Sequence, residues 1–201
     1  MCLLLETIRV RNGKLCHPEC HQARMDRSRK ALFSTPDRLS LDELIVPGDL
    51  PPGEVKCRLV YGRHIEHVDF LPYARKTIHS LVLMEAGSLE YPFKYLDRSG
   101  IEQFQRSRRE YDEVLFVKNG AITDSSYCNL AFLSGETWYT PSEPLLHGTC
   151  RERLIHARLI QPCRITPDDL PDFSHVSLIN AMLDLTDLVI PVDSIISGDT
   201  F

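Results

Sequence analysis

The sequence lacks an excess of positive charge, because 28 aspartates and glutamates outnumber 23 lysines and arginines and give a net charge of −5. Proteins that hold nucleic acid by its phosphates usually present a basic face, so we expect no nucleic-acid partner. The sequence also lacks any run near the roughly 18 apolar residues of a membrane-spanning helix, and we expect no membrane association. The apolar run before Glu6 is too short for the core of a signal peptide.

Regularly spaced cysteines are missing as well. The seven cysteines are an odd number without a repeating spacing, which argues against the disulfide framework of a secreted protein. We therefore expect a cytoplasmic location. The run Cys16-His-Pro-Glu-Cys-His21 contains metal-binding residue types, but no second Cys/His pair follows at zinc-finger spacing. Pro18 at the start of a helix is the plainer interpretation, and we expect no metal site.

The order of the predicted strands and helices favours an α+β fold. Strands are expected at 3–10, 55–61, 65–70 and 79–84, which would form a small antiparallel sheet. Residues 21–32 have helical composition, with Met25, Ser28, Ala31 and Leu32 expected to face inward. Further helices are expected at 95–109 and 151–159. A seam at 86–88 predicts a small N-terminal α+β lobe over residues 1–85 and a larger lobe over residues 86–201.

Three segments carry residues of chemical interest. They are Tyr91-Pro-Phe-Lys-Tyr-Leu-Asp-Arg98, Asn119-Gly-Ala-Ile-Thr-Asp-Ser-Ser-Tyr-Cys-Asn129 and His147-Gly-Thr-Cys-Arg151. In this order they resemble the fold-type IV, or class IV aminotransferase, family of pyridoxal-phosphate enzymes. That family includes branched-chain and D-amino-acid aminotransferases and 4-amino-4-deoxychorismate lyase. The resemblance implies a two-lobe fold with a small N-terminal α/β lobe and a C-terminal pseudo-barrel lobe that binds pyridoxal 5′-phosphate.

Pyridoxal phosphate needs a lysine for the Schiff base and a carboxylate that keeps the pyridine nitrogen protonated. The resemblance implies that Lys94 is this lysine and that it also moves the substrate proton. It implies that Asp124 pairs with the pyridine nitrogen, at a position where the family usually has a glutamate. Asn129 is also expected at the cofactor site, where it would mainly brace the loop 119–129.

The phosphate needs a cation and backbone N–H donors. Arg24 lies in His21-Gln-Ala-Arg-Met25, which resembles the family motif His-x-x-Arg-Leu, whose arginine binds the phosphate. The Gly-Thr-Cys-Arg run resembles the family's phosphate-binding turn at a helix start, and Leu178-Ile-Asn-Ala-Met182 resembles its second turn. The residues that would contact the cofactor in these two turns are Thr149, Cys150, Asn180 and Ala181.

The second turn also bears on the reaction. Its Asn-Ala-Met sequence is closer to the Asn-Ala-Leu of the lyase branch than to the Ser/Thr-rich turn of aminotransferases. We therefore expect a 4-amino-4-deoxychorismate lyase-like enzyme of folate biosynthesis that releases pyruvate and forms 4-aminobenzoate. The alternatives are an aminotransferase of branched-chain or D-amino acids and a non-catalytic relative that binds the cofactor. The expected partners are a small-molecule substrate with an amino group and a second copy of the chain, as a homodimer.

Overall fold

The computed structural model describes residues 2–34 and 38–198, which form two compact units. Unit 1 extends to Arg75 and includes the separate segment Phe93–Asp97, whereas unit 2 comprises Lys76–Pro92 and the chain from Arg98 onward. Helices and sheets occur in both, which confirms the predicted α+β class. Within the described ranges, no helix combines the length and apolar character needed to cross a membrane.

Unit 1 is built on a four-stranded antiparallel sheet. Its elements are β1 (Leu4–Arg11), β2 (Lys14–Leu15), α1 (Pro18–Phe33), β3 (Val55–Tyr61) and β4 (Ile65–Pro72), with a 3₁₀ turn at Leu41–Glu43. The strand order is β2-β1-β3-β4. The β1–β2 hairpin turns at Asn12 and Gly13, whose φ angles of 50° and 69° are the left-handed conformation that an Asn-Gly pair favours.

One face of β1 forms the core of unit 1 with α1. Leu4, Ile8 and Val10 alternate along this face and belong to the same buried cluster as Met25 of α1. Glu6 lies in the middle of this apolar series and is completely buried. A carboxylate in that position needs polar partners, because an isolated buried charge is costly.

The inward face of α1 is more polar than the sequence predicts. Met25 and Ser28 are buried and Leu32 packs half-buried against the core, as expected, whereas the expectation for Ala31 is wrong because it is exposed. Arg29 is buried instead, since its guanidinium donates to the backbone oxygens of Gly62 and Arg63 at 3.2 and 2.7 Å. Such bonds allow a charged side chain to lie inside the fold.

Unit 2 contains the larger sheet. Its strands and helices are β5 (Leu81–Glu85), α2 (Ser99–Ser107), β6 (Glu113–Lys118), β7 (Ala121–Ser125), β8 (Asn129–Ser134), β9 (Thr137–Pro141), α3 (Thr149–His156), β10 (Gln161–Cys163), β11 (His175–Ile179), β12 (Val189–Pro191) and β13 (Ile195–Ser197), with 3₁₀ turns at Pro167–Asp172 and Val192–Ser194. The sheet order is β10-β9-β8-β7-β6-β5-β13, and β11 pairs with both β8 and β12. Its core includes the fully buried Leu115, Leu130, Phe132 and Leu178.

The division of the chain differs from the predicted boundary at residues 85–86. The strand expected at 79–84 is β5, but it lies parallel between β6 and β13 in unit 2 and not in the small antiparallel sheet. Unit 2 therefore begins at Lys76. The segment that contains Lys94 belongs to unit 1, although the sequence assigns it to the larger lobe.

The segment Phe93–Asp97 runs beside the start of β1 and does not open a helix. The backbone N–H of Leu5 donates to the oxygen of Lys94 at 2.9 Å, and the N–H of Leu96 donates to the oxygen of Leu3, the residue before β1, at 2.9 Å. The helix predicted from residue 95 begins only at Ser99. β2 pairs with only the last two residues of β1, so the other end of this edge is available for the segment.

Candidate active site

The predicted site residues form two groups, one in each unit. Arg24 and Lys94 belong to unit 1. The group in unit 2 consists of Asp124, Asn129, Thr149, Cys150, Asn180 and Ala181. Each unit also has a buried carboxylate at these residues: Glu6, bonded to Arg24, in unit 1 and Asp124 in unit 2.

Glu6 joins two side chains of α1 in unit 1. Nε of Arg24 donates to Oε1 of Glu6 at 2.8 Å, and Nη2 of Arg24 donates to Oε2. Nδ1 of His21 lies 2.7 Å from the same Oε2. Burial alone would raise the pKa of Glu6, but the charge of Arg24 and the hydrogen bonds from His21 and Arg24 lower it to about 2. Glu6 is therefore ionised at neutral pH.

His21 is a neutral donor to this carboxylate. Burial lowers the pKa of His21; Glu6 partly offsets that shift, and the charges of Arg24 and Lys94 add to it. Because the ionised Glu6 can only accept, the proton of the imidazole lies on Nδ1. The net charge of the three groups Glu6, His21 and Arg24 is then zero.

Lys94 lies beside the same cluster. Its backbone oxygen is bonded to Leu5, the neighbour of Glu6 on β1. Its side chain is half-buried, and its charge contributes to the lowered pKa of His21. Unit 1 thus brings together the two residues, Lys94 and Arg24, that the sequence predicts for cofactor attachment and phosphate binding.

Asp124 on β7 is buried among neutral donors. Its Oδ1 accepts from Nδ2 of Asn129 and its Oδ2 accepts from the backbone N–H of Leu146, each at 2.8 Å. Burial raises the pKa of Asp124 to about 7, and the bonds from Asn129 and Leu146 and the charge of Arg151 only partly oppose that shift. The carboxyl group therefore changes its charge near neutral pH.

Asn129 connects Asp124 to the loop before α3. Besides its bond to Asp124, its Nδ2 donates to the backbone oxygen of Leu146 at 2.8 Å. Its Oδ1 lies against Gly148, where an added Cβ would be only 1.9 Å away. A side chain at Gly148 would displace Asn129, and this close approach explains the glycine.

The first turn of α3 follows Gly148 directly. Thr149 and Cys150 open the helix and are both buried. N–H groups in the first turn of an α-helix have no intrahelical acceptor and carry partial positive charge, so they suit an anion. The next residue, Arg151, points elsewhere: its Nη2 donates to the oxygen of Pro141 at 2.8 Å.

Asn180 holds the second turn. Its Oδ1 accepts from the backbone N–H of Met182 at 2.8 Å. Its Nδ2 lies 3.1 Å from Sγ of Cys128, in the segment between β7 and β8. Ala181, which lies between Asn180 and Met182 in the sequence, is half-buried. The second turn is thus tied to the loop that follows Asp124.

Glu6 and the backbone of Leu146 contribute to the two groups but were not predicted from the sequence. Glu6 interrupts the apolar alternation of Leu4, Ile8 and Val10, which signals a buried acid. His21 and Arg24 are three residues apart and therefore share a helix face. A polar helix face opposite an acidic strand position was thus present in the sequence. Nothing in the sequence indicates the role of Leu146, because it acts through its backbone.

Comparison with known proteins now identifies the family. Residues 3–195 match the model of the amino-transferase class IV family. This chain is a member of the class IV aminotransferase family. An uncharacterised protein of Haemophilus influenzae is 36% identical over 182 residues, which cover 89% of this chain and 97% of that relative.

Solved structures share the class IV aminotransferase fold. A provisionally assigned 4-amino-4-deoxychorismate lyase from Haemophilus somnus is similar with a TM-score of 0.83 and 27% identity, covering 92% of this chain and 98% of that one. A hypothetical aminotransferase from Mycobacterium tuberculosis, solved with pyridoxal phosphate bound, has a TM-score of 0.72 and 20% identity, covering 96% of this chain and 81% of that one. The fold therefore confirms the two-lobe type IV architecture that the sequence predicts.

Proposed function

We propose that this chain is a pyridoxal 5′-phosphate-dependent enzyme of the 4-amino-4-deoxychorismate lyase type. The observation that carries the cofactor assignment is the state of Asp124. Burial holds its pKa near 7, and both of its oxygens accept from neutral donors. A protonated pyridine nitrogen is a cation that would favour the ionised form of this carboxylate. The residues present therefore fit the cofactor.

The roles of the side chains follow from their chemistry. Bound pyridoxal phosphate supplies an electron sink for the carbon that bears the substrate amino group. Lys94 would hold the cofactor through Nζ and would take the proton from that carbon. Asp124 as a carboxylate would keep the pyridine nitrogen protonated. Asn129 and Leu146 hold Asp124 in place through the two 2.8 Å bonds.

The phosphate of the cofactor would be bound by one cationic side chain and by backbone N–H groups. Thr149 and Cys150 would donate their backbone N–H groups from the first turn of α3, and Ala181 would donate from the second turn. Arg24 would supply the charge with donors other than the Nε and Nη2 contacts that it gives to Glu6.

The lyase reaction is supported by the second turn and by the likeness to the provisionally assigned lyase. Asn180 uses both ends of its amide inside the protein, bonding Met182 and Cys128. The turn thus presents backbone groups in place of the hydroxyl groups of a Ser/Thr-rich turn. In the proposed reaction Lys94 would take a proton from the substrate, and the enolpyruvyl group would leave and take up that proton as pyruvate. Aromatisation to 4-aminobenzoate would drive the reaction forward.

Amino transfer is the second candidate, because Lys94 and Asp124 would serve its first proton transfer equally well. The test incubates the holoenzyme with 4-amino-4-deoxychorismate and, separately, with amino acids and a panel of keto acids. Stoichiometric pyruvate and 4-aminobenzoate support the lyase. Amino transfer to a keto acid without pyruvate release from aminodeoxychorismate would contradict it and favour the aminotransferase.

We also propose a cytoplasmic homodimer, as in the family that the sequence resembles. A two-fold interface would use the same surface on both chains. Sedimentation should give twice the monomer mass of 23.0 kDa. A monomer whose specific activity is independent of protein concentration would contradict the dimer.

A further inference from the structure

The cluster around Glu6 is more elaborate than the packing of unit 1 needs. The completely buried carboxylate of Glu6 accepts hydrogen bonds from Nε and Nη2 of Arg24 and from Nδ1 of His21. Replacing a buried ion pair by apolar side chains is often neutral or stabilising. Stability alone therefore gives little reason for these charges beside the segment that contains Lys94.

The contact fixes the orientation of the Arg24 side chain. A guanidinium group is planar and its N–H donors form a rigid fork. Because Nε and Nη2 both donate to the carboxylate of Glu6, the plane of the guanidinium is fixed and the group cannot rotate freely. An arginine that is already ordered loses less conformational entropy when it binds an anion.

The same carboxylate also fixes the tautomer of a ring near Lys94. Because Glu6 accepts from Nδ1, His21 keeps its proton on that nitrogen, while burial favours the neutral ring. Arg24 is then the positive member of the cluster on α1. Its charge is balanced by that of Glu6, so the orientation of the guanidinium matters more than the total charge.

The geometry of unit 1 points to Glu6 as a positioning residue for the phosphate of the cofactor, acting through Arg24. This inference rests on the proposed function, since it assumes that Arg24 binds the phosphate of pyridoxal 5′-phosphate. It predicts that Glu6 affects affinity for the phosphate group and not for the pyridine ring.

The experiment compares the affinities of the apoprotein for pyridoxal 5′-phosphate and for pyridoxal, which has no phosphate. Absorbance titration measures both, independently of turnover. We expect Glu6→Gln to lower the affinity for pyridoxal phosphate by on the order of 10- to 100-fold, the range seen when an outer-shell partner of a metal ligand is lost. The affinity for pyridoxal should change less than about twofold. Glu113→Gln is the matched control, because Glu113 is also buried but lies in unit 2.

A double-mutant cycle tests the route of the effect. If Glu6 acts through Arg24, the variant with both Glu6→Gln and Arg24→Gln should bind pyridoxal phosphate as Arg24→Gln alone does. Equal losses for pyridoxal and pyridoxal phosphate, or additive effects in the cycle, would overturn the inference. If Glu6→Gln does not fold, Glu6→Asp is used, and the ratio of its affinities for pyridoxal phosphate and pyridoxal is measured. A ratio equal to that of the wild type overturns the inference, and a lower ratio supports it.

The failure of this inference differs from the failure of the proposed function. Suppose that the wild-type protein binds pyridoxal phosphate at Lys94 and that Glu6→Gln prefers pyridoxal phosphate over pyridoxal as strongly as the wild type does. Only the role of Glu6 is then wrong. If the wild-type protein shows no preference for the phosphorylated ligand, the assignment of the cofactor itself fails.

Discussion

Glu6 in unit 1 and Asp124 in unit 2 are both buried carboxylates, yet their pKa values differ by several units, at about 2 and about 7. The difference comes from their partners. Glu6 has the guanidinium of Arg24 in direct contact, whereas the hydrogen bonds to Asp124 come from the neutral donors of Asn129 and Leu146. Unit 1 therefore contains the cation for its acid, and unit 2 surrounds its acid with donors that do not supply a full charge.

The comparison indicates what each acid is suited for. A carboxylate with its own cation is set in one charge state and can position other groups. A carboxylate held near its midpoint responds to a cation from outside the chain, such as a pyridinium nitrogen. The two environments thus suit Glu6 to the proposed positioning role and Asp124 to the proposed cofactor-dependent role.

Removing the cation of unit 1 should have the largest effect on stability. Arg24→Leu leaves Glu6 buried without its partner and is expected to cost about 3–5 kcal/mol of unfolding free energy at neutral pH. Urea denaturation measures the loss. Arg27→Leu is the control, because Arg27 is exposed on the same helix. A loss below about 1 kcal/mol for Arg24→Leu would show that Glu6 finds its charge compensation elsewhere.

The second prediction concerns the pH dependence that Asp124 gives to the cofactor-free protein. Its folded pKa of about 7 lies above the unfolded value of 3.8, so its ionisation opposes folding. The contribution of Asp124 to the free energy of unfolding is complete below about pH 4 and falls as pH rises to about 7. Above that pH it stays constant, and the total change is about 4 kcal/mol. The difference between wild type and Asp124→Asn across this window isolates the effect, and a difference independent of pH would contradict the raised pKa.

Glu6 should show the opposite dependence in acid. Its folded pKa of about 2 lies below the unfolded value of 4.5, so its contribution is full above about pH 4.5 and is lost as pH falls toward 2. The expected loss is about 3 kcal/mol. Acid unfolding of wild type should therefore be steeper than that of Glu6→Gln. Parallel curves for the two proteins would argue against an ionised Glu6.

The smallest expected effect comes from Glu113, a third buried carboxyl. Its Oε1 accepts from the N–H groups of Val114 and Ser126 at 3.0 and 3.1 Å, whereas Oε2 has no hydrogen-bond partner among the described residues. Burial raises the pKa of Glu113. Glu113→Gln keeps the accepting oxygen and should stabilise the protein by about 1 kcal/mol at pH 8, with little change in acid. Destabilisation at pH 8 would show that the charge of Glu113 is needed.

The sequence predicts the local turns better than it predicts the segment around Lys94. The hairpins at Asn12-Gly13 and Asn119-Gly120 follow from local turn preferences, and the structure has positive φ at all four residues. The helix expected directly after Lys94 begins only at Ser99, because hydrogen bonds to Leu3 and Leu5 fix the segment around Lys94. Those bonds depend on tertiary contact, and no local pattern reveals them.

The partners of the two acids are equally hard to read from the sequence. Asp124 is bonded by a side chain that the motif contains, Asn129, and by the backbone of Leu146, which any residue could provide. Glu6 and Arg24 are 18 residues apart in the chain and meet only because α1 folds onto β1. The pKa values that distinguish the two units therefore require the three-dimensional structure.

Lys94 and Asp124 are proposed to serve the same cofactor, and covalent labelling can test this pairing. The apoprotein is incubated with pyridoxal phosphate, reduced with borohydride and digested, and the labelled peptide is identified by mass spectrometry. We predict loss of a visible absorption band on reduction and a single label on Lys94. In Asp124→Asn the label should remain on Lys94 while turnover falls by on the order of 10²–10³-fold. A label on another lysine, or no label in the wild-type protein, would contradict the account.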